Sequence, residues 1–190
     1  MFCGIALRTP SDLSDDPYFF GNVDHEGADS GSVETGFGLR YVDAATDEIY
    51  GEVFYIAQEE SHSQVQTLAT STDYAIIYQH VPYDSLDSTT DSQAFYINSM
   101  NPIGGISNNF SSLGEPLTID QATGSWVIGG TYTEATTEVT KLMGSGGRIY
   151  SHFCTAARPT PANIKNALIA MENNANIDFD GDSTVGSVTN

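Results

Sequence analysis

"MFCGIALRTP", residues 1–10, is the stretch on which the fold turns. Residues 2–7 form a short run rich in apolar side chains and read as a strand. The cysteine at position 3 has two readings, and they lead to different proteins. In one it is a small buried hydrophobe in a first strand, since free cysteine is among the most buried residue types. In the other it is a nucleophile meant to work from the N-terminus, where its own α-amino group, with a reference pKa of about 8, supplies the base.

Working outward, the same β-rich character returns in "VETGFGLRYV" (33–42), "YGEVFYIAQ" (50–58), "DYAIIYQHV" (73–81), "SQAFYINSM" (92–100), "SWVIGG" (125–130) and "GRIYSHF" (147–153). Gly, Asp, Ser and Asn clusters separate these segments. Two helices are expected. "TPANIKNALIAMENN" (160–174) offers Thr160 as N-cap and Pro161 at the first helical position, both favoured there. Its Ile164, Ala167, Leu168 and Met171 make one apolar stripe. "TEATTEVTKLMGSGG" (133–147) places Val139, Leu142 and Met143 on one face, with Gly144 to end it. "PSDLSDDPYFF" (10–20) is a poor helix because Pro17 interrupts it. Strands in runs with helices segregated from them give an α+β class, with helices layered on antiparallel sheets.

The 190 residues fit one domain, 1–190, with a real core. No stretch approaches the ~20 apolar residues of a membrane span. No basic-then-apolar leader is readable, so the expected location is cytoplasmic. Six basic residues stand against 25 acidic ones, for a net charge of −19. That balance excludes nucleic acid and anionic membrane as partners, because phosphate binding relies on Lys and Arg. Cys3 and Cys154 are too few for a disulfide framework, although they suffice for one bridge in a secreted chain. His25, His62, His80 and His152 are scattered, so no metal site and no cofactor are expected.

"CGIA" (3–6), "GADSG" (27–31), "HVPY" (80–83), "SQAF" (92–95), "SNNF" (107–110) and "ATTE" (135–138) carry a resemblance when taken in order. They resemble the class II, N-terminal-nucleophile glutamine amidotransferase domain found at the front of amidophosphoribosyltransferase. The likeness covers nearly the whole chain. It implies two packed antiparallel sheets flanked by helices, a four-layer αββα arrangement of the Ntn-hydrolase kind. It also implies glutamine amide hydrolysis, with Cys3 as nucleophile, Asn108 as oxyanion donor, and His80, Asp29 and Gly27 shaping the substrate site. Glutamine or another small amide is the implied ligand, and a separate synthase or partner subunit the implied acceptor of ammonia.

The chain departs from that pattern where the chemistry sits. Glu26 replaces one Arg, and Pro82 replaces the Arg expected to clamp the substrate carboxylate. Thr136 replaces the Asp expected to hold the substrate amine, and the Asn-Gly oxyanion pair is Asn108-Asn109. Only guanidinium presents a bidentate fork to a carboxylate, so these changes weaken amino-acid binding. Phe2 also separates Met1 from Cys3, so the α-amino group of Cys3 lies in a peptide bond. The expectation is therefore an amidotransferase-like domain with a degenerate site, hydrolysing glutamine negligibly. A non-catalytic structural or partner-binding protein of the same fold is the alternative.

Two further stretches bear on function. "DFDGDSTV" (178–185) sets Asp178, Asp180 and Asp182 at alternate positions, as in a calcium loop. Gly181 falls at the fourth position rather than the sixth, and the twelfth is Thr189, so a solvated Asp-Gly turn is the better reading. "TSTDYAIIYQHV" (70–81) resembles the Thr-Asp-Tyr strand of lipocalins, a ligand-binding β-barrel alternative. The Gly-x-Trp start of that family has no counterpart here, since Trp126 lies far downstream.

Overall fold

The computed structural model describes residues 2–21, 36–43, 47–55, 58–81, 92–107, 126–133, 138–140, 142–155 and 159–189. These form twelve strands and one helix. They divide into two compact units, one made of residues 1–8, 72–116 and 148–190, the other of 9–71 and 117–147.

The first unit holds a five-stranded antiparallel sheet. Its strands are β1 (Phe2–Arg8), β6 (Asp73–Val81), β7 (Ser92–Ile97), β8 (Pro102–Ser107) and β12 (Arg148–Thr155), in the order β12-β1-β6-β7-β8. The opening stretch is thus a strand in the interior of a sheet, paired on both sides. Side chains alternate between faces along each strand. Phe2, Ala6, Ala75, Ile77, Ala94 and Tyr96 fall on one face and meet the helix α1 (Pro161–Ala175). Cys3, Ile5, Leu7, Ile76, Tyr78 and Phe95 fall on the other, and all six are fully buried. Both faces are covered, which is why the first seven residues of the described chain contain almost no polar position.

Helix α1 forms where the cap and the stripe place it. The Thr160 side chain accepts from the Asn163 backbone while Asn163 Oδ1 accepts from the Thr160 N–H at 2.9 Å, a reciprocal capping box. Pro161 is at the start, and Asn176 closes the helix in the left-handed region (φ 56°), where Asn is tolerated. Ile164, Leu168 and Met171 are buried against the sheet as the apolar stripe requires. The approach is close: a Cβ at Gly4 would run into Met171 Cε and the Phe153 ring. At the far end of β1, directly opposed Arg8 and Asp73 form an ion pair at 2.8 Å, and Tyr150 Oη donates to the same carboxylate at 2.7 Å.

The second unit holds another five-stranded antiparallel sheet, order β5-β4-β3-β2-β9. Its strands are β2 (Tyr18–Gly21), β3 (Gly36–Val42), β4 (Glu48–Tyr55), β5 (Gln58–Val65) and β9 (Val127–Ile128). Trp126 stacks on Phe20 and Phe37 with centroids 5.8 and 6.3 Å apart. The Arg40 guanidinium lies over the Tyr18 and Tyr50 rings at 5.7 and 5.3 Å. A two-stranded ribbon, β10 (Thr131–Thr133) with β11 (Glu138–Thr140), completes the unit.

One expectation changes. The helix expected within 133–147 is not there: 138–140 is strand β11, and residues 134–137 and 141 lie outside the described set. Val139 and the threonines around it are β-branched and favour an extended chain, and pairing with β10 supplies the backbone partners. Tyr18-Phe19-Phe20, in the stretch that Pro17 makes a poor helix, is strand β2 and fully buried. Two antiparallel sheets and a helix on one sheet face make an α+β protein dominated by strand.

Candidate functional site

The motifs that are far apart in sequence arrive at one end of the first sheet. In an antiparallel sheet the start of one strand lies beside the end of the next. Cys3, at the start of β1, is opposite Tyr78 near the end of β6, and Tyr78 is opposite Phe95 on β7. In the adjacent row His80 is opposite Gln93, and Gln93 is opposite Ser107 at the end of β8. The strand ends bearing "CGIA", "HVPY", "SQAF" and "SNNF" are therefore neighbours across four strands.

Cys3 and His80 share the face of the sheet away from α1, and both are fully buried. Tyr78 and Gln93 share that face, and Tyr78 Oη donates to Gln93 Oε1 at 2.6 Å. Gln93 Nε2 is buried without a hydrogen-bond partner among the described residues. Sequence reading passed over Tyr78 and Gln93. The signal was present, because both lie in the period-2 pattern of fully buried strands, where a polar residue must be held by a partner. Asn108, Asp29 and Gly27, together with Glu26, Pro82, Asn109 and Thr136, lie outside the described residues.

The sulfur of Cys3 is not a thiol here. Cys154 on β12 is its direct register partner, the two Cα atoms are 4.1 Å apart, and the side chains form a disulfide. The single bridge open to the two cysteines is thus made. A thiolate attack from Cys3 requires that bond to be reduced first. Phe2 is bound into the structure as well: it is 5% exposed, its ring centroid lies 5.2 Å from that of Phe153, and it belongs to the core under α1. His152, opposite Ile5 on β12, is held below its ordinary pKa of 6.5 by burial, which favours neutral imidazole.

A second cluster lies at the end of α1. Carboxylate oxygens of Glu172, Asp178 and Asp180 lie within 4.8 Å of one another, and Glu172 is buried. The loop's own backbone uses them. Glu172 accepts from Phe179 N (3.0 Å) and Gly186 N (2.9 Å). Asp178 accepts from Gly181 N (2.8 Å) and Ser183 N (2.7 Å), and Asp180 from Asp182 N (3.2 Å) and Thr189 N (2.9 Å). Gly181 has φ of +77°, as an Asp-Gly turn requires. The turn reading of 178–185 describes this geometry, and the missing element was Glu172, whose place on the helix links the loop to the core.

Among the described residues no helix is long and apolar enough to cross a membrane. No protein-family profile matches the chain, and no curated protein is significantly similar to it.

Proposed function

We propose that this chain is a glutamine-amidotransferase-like protein that keeps a four-layer Ntn-hydrolase-like scaffold and does not hydrolyse glutamine in its disulfide-bonded form. The observation that carries this reading is the Cys3–Cys154 bond at the sheet end where the motif-bearing strands meet. The convergence supports the amidotransferase likeness; the bond and its surroundings favour the non-catalytic branch.

The reaction makes three demands. A thiolate must attack the side-chain amide carbon, donors must hold the oxyanion, and a proton must reach the departing ammonia, leaving a glutamyl thioester for water to cleave. The Cys3 sulfur is already bonded, and its nitrogen is the Phe2–Cys3 amide, which cannot act as base. Losing a general base typically costs ~10²–10⁴ in rate. Pro82 in place of the carboxylate-binding Arg removes a charge-assisted contact of roughly 1.5–3 kcal/mol. With catalysis lost, the role left to the scaffold is to engage a partner subunit or a small amide without turning it over. The disulfide also favours an oxidising compartment over the cytoplasmic location expected from sequence, since such bonds are rare where thiols are kept reduced.

Ammonia release from glutamine tests the reading. Four preparations are compared: the full-length protein as isolated, the same protein reduced with a thiol, a version beginning at Cys3, and Cys3→Ala. The expected result is no release above Cys3→Ala from the full-length protein, oxidised or reduced. Robust turnover by the full-length chain, abolished in Cys3→Ala, sinks the proposal.

A further inference from the structure

On the opposite face of the first sheet, a cleft of about 460 Å³ opens between β12 and α1. Its size is that of a small-molecule site. The walls are of two kinds. Phe2 and Phe153, with rings tilted at 59° to each other, and Met171 supply an apolar side. Asn166 and Asn174 on α1 supply carboxamides, and Ser151 on β12 supplies a hydroxyl. Ser151 Oγ is buried without a hydrogen-bond partner among the described residues, an arrangement that a bound polar group would relieve. No Lys, Arg, Asp or Glu is among the described residues lining the cleft.

We propose that this cleft binds an uncharged, flat ring molecule with adjacent donor and acceptor groups on its edge, the chemistry of a nucleobase or nucleoside. The aromatic and thioether wall suits the face of a ring, which packs on such groups without needing charge. A carboxamide presents a donor and an acceptor side by side and pairs bidentately with an edge that does the same. Anionic ligands are disfavoured, because no cation lines the cleft and the whole chain carries −19. The site lies on the helix side of the sheet and does not depend on the state of Cys3.

The test is a titration of the intact protein with adenosine, followed by NMR at the Met171 methyl and the Asn166 and Asn174 carboxamides. Adenosine monophosphate serves as the charged control and benzene as the ring without a polar edge. Expected are saturable shifts at all three side chains with adenosine, and binding at least about tenfold weaker for both controls, the scale of one or two lost hydrogen bonds. Asn166→Leu, at an exposed helix position, should weaken adenosine by about tenfold with unchanged circular dichroism. Ala170→Trp, which fills the cleft from another exposed position, should remove the shifts. No shift at these side chains with adenosine overturns the proposal. So does equal affinity for the monophosphate or for benzene, or an Asn166→Leu protein that binds adenosine as well as the parent.

Discussion

Phe2 stands where a processed N-terminal nucleophile would have nothing. Its ring lies against Phe153 and within the cluster under α1, so exposing Cys3 as a terminus means extracting a core aromatic. Truncating a buried Phe typically costs about 3–5 kcal/mol. Phe2→Ala should accordingly lower unfolding free energy by about 3 kcal/mol in urea titrations with the disulfide intact, and a loss below about 1 kcal/mol would show that residues 1–2 are dispensable to the fold. His152 gives a pH signature at the same scale. Its folded pKa is depressed by burial below the ordinary 6.5, so the folded state binds its proton less readily than the unfolded state. The stability tied to neutral His152 is complete above about 6.5 and is lost as pH falls from there through the lower folded value. The urea midpoint should therefore drop between pH 7.5 and 5.5, and His152→Gln should flatten that drop. An unchanged slope in the variant would remove His152 from the account.

At the scale of the element, α1 and the loop behind it act as one piece. Glu172 sits on the last turn and accepts two backbone N–H groups from the loop that follows, at Phe179 and Gly186. Glu172→Ala strands both donors, and each buried unsatisfied group costs about 1–3 kcal/mol. The expected loss is about 2–4 kcal/mol, with amide exchange at 179–188 rising more than at the middle of the helix. Uniform acceleration along 161–188 would mean that the loop is not anchored separately. This helix was legible in the sequence because cap, proline and apolar stripe agree at Thr160, Pro161 and Ile164 through Met171. The strands were legible where both faces are buried, as in Ile5-Ala6-Leu7 and Ile76-Ile77-Tyr78. They were not legible at "QEESHSQV" (β5) or "PIGGIS" (β8), which end their sheets. A sheet's outermost strand is paired on one side only, and in β5 and β8 polar residues, proline and glycine erase the apolar signal. At β11 the apolar spacing of Val139, Leu142 and Met143 imitated a helical stripe, and pairing with β10 overrode it.

For the whole molecule, the order of the motifs was readable from the residues, whereas their meeting was expected only through the family resemblance. That "CGIA", "HVPY", "SQAF" and "SNNF" share one end of a sheet follows from strand order, which a linear pattern does not contain. The same holds for the bridge: two cysteines 151 residues apart can pair only because β12 is the neighbour of β1. Linking residues so distant restricts the unfolded chain strongly, and a native disulfide typically contributes about 2–5 kcal/mol. Replacing both cysteines, Cys3→Ala with Cys154→Ala, should lower stability by that amount with the sheet intact by circular dichroism. A double variant as stable as the parent would show that the pairing of β1 with β12 needs no covalent help.

The bridge has a mechanical consequence. Residues 3–154 form a closed covalent ring, and the segments 9–71 and 117–147 of the second unit belong to that ring. Tension applied at the two ends of the chain passes straight across the sulfur–sulfur bond. Chain outside the ring, such as the stretch after Cys154, is what can pay out length, at ~3.3–3.6 Å per residue. Helix α1 therefore yields to the load, and the sheet of the second unit feels no pull until a reductant opens the ring.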